Sequence, residues 1–99
     1  MAFEYLTIHR TGVSIATTAA SASSALPIDS AGNVPRFVRI AATAPACVRL
    51  GPTGLTALTT DVQIQPGDAI RMSTNGATFV AAIQVSGPGV VQVSPIENT

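Results

Sequence analysis

This sequence predicts an all-β fold, an antiparallel β-sandwich of jelly-roll-like kind, with an irregular segment around residues 17–35. Three observations carry that expectation. Short runs rich in Val and Ile alternate apolar with polar residues at a period of two. Gly, Pro and Asn-Gly punctuation returns about every ten residues, the spacing of short strands in a sandwich or barrel. No window of helical length shows a 3.6-residue period.

Glu4, Leu6 and Ile8 alternate with Phe3, Tyr5 and Thr7, which suits a first strand near residues 3–8, and after a His9–Gly12 turn residues 12–16 suit a second. TTAASASSAL at 17–26 has only small side chains until Leu26, and its Ser and Thr compete with a helical backbone, so it reads as a loop or an extended arm. PIDSAGNVP, with two prolines and a Gly-Asn pair, reads as a connection. From Arg36 the pattern sharpens. Val38, Ile40 and Ala42 alternate with Phe37, Arg39 and Ala41, and beyond Thr43–Pro45, Ala46, Val48 and Leu50 alternate with Cys47 and Arg49. The expectation is a hairpin. Val62 and Ile64 share one face, Pro66-Gly67 suits a type II turn, and Ile70 and Met72 point inward with Arg71 outward. Asn75-Gly76 is the strongest hairpin signal in the chain, because both residues tolerate the positive φ of a type I′ turn. Strands near 78–85 and 90–96, joined through Ser86-Gly87-Pro88-Gly89, complete eight or nine strands in one domain spanning 1–99.

A chain of 99 residues withdraws roughly two-thirds of its unfolded surface from water, enough for one modest core. Apolar residues make up 46% but aromatics only 4%, so that core is built from small aliphatic side chains, which gives a reason to expect a homo-oligomer or docking onto a larger partner. Charged residues are 10%, against about 25% in an average soluble domain. Two readings of that bias are compatible: compositional drift in a GC-rich genome, and a surface normally covered by neighbours. Zero net charge without a basic run excludes a nucleic-acid platform, and apolar runs fall short of the ~20 residues of a membrane-spanning helix. MAFEYLTIHR lacks a basic-then-apolar leader, so the expectation is a soluble product made in a cytoplasm.

Reactive chemistry finds few residues. Cys47 cannot form an internal disulfide, being the single cysteine, and inside a strand it reads as a small structural thiol. His9, the one histidine, reads as a surface or turn residue. One His, one Cys and five scattered carboxylates (Glu4, Asp29, Asp61, Asp68 and Glu97) make neither a zinc site nor a cupin triad, even with PGDAI resembling a cupin turn. Asp61 and Asp68 flank the Pro66 turn and could approach each other, but turn-capping suits Asp68 better. The Gly-Pro loops lack the Lys and helix of a phosphate loop. The expectation is no enzyme, no cofactor and no metal. The arginines remain: Arg36, Arg39, Arg49 and Arg71 fall in or beside strands, Arg39 and Arg49 on neighbouring strands of an outward face. Arginine forks onto carboxylates and is enriched at interfaces, so these four are the candidate subunit contact, with Glu4, Asp61 and Asp68 of other copies as partners.

FVRIAATAPACVRLGPTG followed by DVQIQPGDAIRMSTNGATFVAAIQVSGPGVVQVSPIE resembles a type of small β-rich structural protein encoded by tailed bacteriophages, over about residues 36–97. The resemblance is one of turns and apolar strands. It implies a virion protein of the capsid decoration or cement type, commonly a trimer on the capsid exterior that bridges subunits of the major capsid protein. A tail, neck or baseplate component is the alternative within virions. A receptor- or glycan-binding module, the alternative from another class, calls for clustered exposed aromatics, whereas Phe3, Tyr5, Phe37 and Phe79 read mostly as core.

Overall fold

Alternating aliphatic residues cannot bury both faces of one small sheet, so the chain lays two sheets face to face. The computed structural model describes residues 6–7, 12–28 and 32–98. Among these residues it holds β1 (Leu6–Thr7), β2 (Val13–Thr17), β3 (Ala22–Ala25), β4 (Phe37–Ala42), β5 (Ala46–Gly51), β6 (Val62–Ile64), β7 (Ala69–Ser73), β8 (Phe79–Gln84) and β9 (Gly89–Asn98), and no helix. One sheet has the order β2, β9, β4, β7, with β1 pairing the far end of the same β9 edge; the other has the order β3, β8, β5, β6, and all pairs are antiparallel. From β2 onward every connection except that from β5 to β6 passes from one sheet to the other. This is the connectivity of a jelly roll.

The core is the set of inward positions. Ile15, Val38, Ile40, Val91 and Val93 from the first sheet pack with Ala46, Val48, Ile64, Val80 and Ala82 from the second, and Leu26 closes one end. Val38, Ile40, Ala46 and Val48 follow the period of two expected for β4 and β5. No described aromatic belongs to that cluster: Phe79 is half-buried and Phe37 is 41% exposed, which corrects the expectation of a core Phe37. Phe3, Tyr5 and His9 lie outside the described residues.

The expected hairpin of residues 36–50 is not one. β4 pairs with β7 and β9, whereas β5 pairs with β6 and β8. Thr43–Pro45 is a corner between sheets, and its hydrogen bonds hold it there. The Thr43 N–H donates to Val90 O at 2.9 Å, the Val90 N–H donates to Thr43 Oγ1 at 2.8 Å, and the Val85 N–H donates to Pro45 O at 3.2 Å. The expected turns at Pro66-Gly67 and Asn75-Gly76 have the expected geometry, but both also cross between sheets. The Asp68 N–H donates to Gln65 O with Gly67 at φ 89°, and Asn75 and Gly76 stand at φ 47° and 84° under an Ala77 N–H to Thr74 O bond. Their flanking strands belong to different sheets. At the second turn, buried Thr74 donates through Oγ1 to Pro35 O at 2.7 Å on one side, while the Thr78 N–H donates to Gly51 O on the other.

Within 17–35, irregular backbone holds at 18–21, 26–28 and 32–35, but Thr17 ends β2 and Ala22–Ala25 forms an edge strand on β8, from Ala22↔Ala82 to Ala25↔Phe79. Residues 22–25 are therefore occupied within their own chain. Their small side chains hide the strand from a hydrophobicity pattern, yet fit against the equally small Ala81 and Ala82.

Two substitutions probe this architecture by urea unfolding. Ile40→Ala, at a fully buried position, is expected to cost about 2–5 kcal/mol. Thr74→Val, which leaves the buried Pro35 carbonyl without that donor, is expected to cost about 1–3 kcal/mol with the core volume kept.

Candidate docking surface

The alternation that turns Val38 and Ile40 inward turns Phe37, Arg39 and Ala41 outward. On neighbouring β7 the outward residues are Ala69, Arg71 and Ser73, and the register places Arg39 directly opposite Arg71. Cross-strand partners have Cβ atoms about 5 Å apart, and like charges there repel. On its other side Arg39 faces Ser94 of β9. No described carboxylate forms an ion pair with either arginine. Arg36 flanks the same face, its guanidinium 5.8 Å from the Phe37 ring centroid, within reach of the ring's negative face. Three of the four candidate arginines thus gather on the outer face of the first sheet, together with exposed Phe37 and Val90.

Arg49 does not join them. It lies on the outer face of the second sheet, opposite Ala81, so the expectation that it neighbours Arg39 is corrected: the two strands belong to different sheets. Its charge is already matched. Arg49 Nε and Nη2 donate to Asp61 Oδ1 at 3.2 and 2.9 Å, and the Leu58 N–H donates to Asp61 Oδ2 at 2.7 Å. These contacts hold the Asp61 carboxyl below the usual carboxylate range, the Leu58 N–H more than Arg49, against the opposing effect of partial burial. Asp61 is therefore also withdrawn as a partner for other copies. Asp68 remains exposed at the start of β7, Glu4 and Asp29 lie outside the described residues, and Glu97 falls in β9.

The Arg49–Asp61 pair anchors the 52–61 loop across the outer face of the second sheet. Ala57 is buried there, with its N–H donating to Ser21 Oγ at 2.8 Å, and the loop covers Cys47, whose thiol donates to Thr59 O at 3.5 Å. Burial, with Asp61 nearby, pushes the Cys47 thiol up, away from the reactive thiolate form. No three His, Cys, Asp or Glu groups among the described residues gather into a metal-binding cluster.

Two concavities flank the Asn75-Gly76 turn. The larger, of about 700 Å³, opens between β5, β6 and β7, with Val48, Leu50, Val62 and Met72 among its lining. The smaller, of about 420 Å³, is lined by Val34–Arg36 and the turn itself. Neither was legible in the sequence, because both exist only once the β7 to β8 connection crosses between sheets. The surface as a whole offers a fork of positive charge beside apolar relief, which suits recognition of carboxylates on another protein. The chain matches no family model, no curated protein and no solved structure.

The ion pair has a pH signature. A lowered folded-state value means that Asp61 contributes stability above its unfolded value, and that this contribution is lost as pH falls through the folded one. Asp61→Asn is expected to lower the urea midpoint at neutral pH, with the gap to the parent protein closing on acidification through and below the ordinary Asp range. A gap independent of pH would show that the carboxylate charge contributes nothing.

Proposed function

We propose that the chain is a structural protein of a tailed-bacteriophage virion, a capsid decoration or cement protein that stabilises the head by bridging subunits of the major capsid protein, acting as a homotrimer on the capsid exterior. The observation that carries this reading is the Arg39↔Arg71 pair, a like-charge juxtaposition in the middle of a sheet face, with no described carboxylate to relieve it. Such an arrangement costs stability in the isolated chain and is relieved when a partner supplies carboxylates.

Three further features support the reading. Jelly rolls recur in viral shells, although the fold hosts other roles as well. The core is aliphatic and small, so burial against neighbours adds stability that the chain lacks alone. The turns and strands that carry the phage resemblance, from FVRIAATAPACVRLG through PGD and FVAAIQ to VVQVSPI, run from β4 to β9, with residues 36–50 crossing between sheets rather than pairing as a hairpin. Function is mechanical: modest contacts repeated on a lattice add into high avidity. The glycan-binding alternative has less support, since Phe37 is the one exposed large aromatic among the described residues.

Mass spectrometric counting of subunits in purified particles tests the proposal. A decoration protein is expected in numbers commensurate with the major capsid protein, and a neck or baseplate component in a single ring. Arg39→Glu with Arg71→Glu is expected to weaken binding to undecorated heads by about tenfold or more at low salt while leaving the fold intact. Particles that lack the protein, or heads that bind this variant as well as the parent, would overturn the reading.

A further inference from the structure

We infer that the free edge of β7 accepts an extended segment of a partner protein as an added antiparallel strand, and that this segment alternates apolar with acidic residues. The inference names the chemistry of a partner segment and does not depend on which particle the partner comes from.

β7 ends the first sheet and β6 ends the second, both on the same side of the sandwich, and the two are not hydrogen-bonded to each other. Among the described residues the backbone groups on the outer side of β7 therefore have no ladder partner, which makes that edge a template for another strand. Between the two edges opens the cleft of about 700 Å³, where Val62 stays 49% exposed although it lies on the same face as fully buried Ile64. An added strand continues the pleat of β7. Its inward residues follow Ile70 and Met72 toward this apolar cleft, and its outward residues extend the row of Arg39 and Arg71.

Charge sets the outward residues. A carboxylate opposite Arg71 meets a guanidinium fork that no described carboxylate occupies and relieves the Arg39↔Arg71 repulsion. The acidic group already in the cleft wall, Asp61, is neutralised by Arg49 and the Leu58 N–H, so it does not repel an acidic segment. A second copy of β7 is a poor occupant. Centred self-pairing sets Arg71 against Arg71, and a register that set Asp68 opposite Arg71 would turn the copy's Ile70 and Met72 to the outer face.

The test uses the full chain, end-blocked synthetic peptides alternating Val with Glu or Val with Lys, and a single-stranded DNA oligonucleotide. Amide resonances and hydrogen exchange report on each residue. The Val-Glu peptide is expected to shift and protect the amides of Ala69–Ser73. Arg71→Glu, an exposed edge substitution, is expected to weaken that peptide by about tenfold and to transfer preference to the Val-Lys peptide. Arg39→Glu gives the same reversal on a neighbouring strand, and the spectra show directly that each variant is folded. No response of the β7 amides at about 1 mM peptide, equal response to both peptides, protection at another edge instead, or tighter binding of the oligonucleotide would overturn the inference. Heads that bind the chain while the peptides leave β7 unaffected would remove this inference and keep the proposed function.

Discussion

The structure depends on one constraint: inward aliphatic faces on both sheets must bury each other, because neither has anything else to pack on. Val38, Ile40, Val91 and Val93 on one side and Val48, Ile64, Val80 and Ala82 on the other form a single layer without a described aromatic. Small side chains interdigitate closely but contribute little each, and a void the size of one methyl group is felt. The crossings must therefore hold the sheets at a fixed separation. Threonines do much of this: Thr43 ties the β4 to β5 corner to the start of β9, Thr17 Oγ1 accepts from the Gly89 N–H at 3.0 Å, and Thr74 clasps the β7 to β8 turn to the segment before β4. Each satisfies backbone groups that leave one ladder before entering the next.

Charge is arranged differently on the two outer faces. On the second sheet an arginine and an aspartate close a loop over the strands, and the loop shields the thiol beneath it. On the first, Arg39 and Arg71 stand opposite each other and form no ion pair with an acid among the described residues. One face is finished by its own chain and the other is left with unmatched chemistry. With so few charged residues in the sequence, that asymmetry is the strongest directional signal on the surface.

Much of this fold was legible in the sequence at the level of single strands. The alternation of 36–42 and 46–50 assigned Val38, Ile40, Ala46 and Val48 to the core, and Gly67, Asn75 and Gly76 have the positive φ values their residue types implied. Sheet membership was not legible. A strand, a tight turn and a strand have the same local signature whether the second strand returns beside the first or crosses to the facing sheet, and only long-range hydrogen bonds such as Thr43 to Val90 decide it. The same gap split Arg39 from Arg49 and joined Arg39 to Arg71. Cys47 is the small structural thiol its place in a strand suggested, although the loop that covers it was not legible, and Phe37 is exposed although the aromatics read mostly as core.

The ten residues of β9 are bordered on one side by β1 and β2 and on the other by β4. The strands nearest the beginning of the sequence therefore wait for the one nearest its end. While the chain is being synthesised, β2 and β4 emerge with their shared neighbour still unmade, so the first sheet cannot close until β9 has also left the ribosome. Assembly dominated by such distant pairings is slow, on the order of milliseconds to seconds, and in that interval the nascent protein exposes apolar strands that chaperones or early association would have to protect.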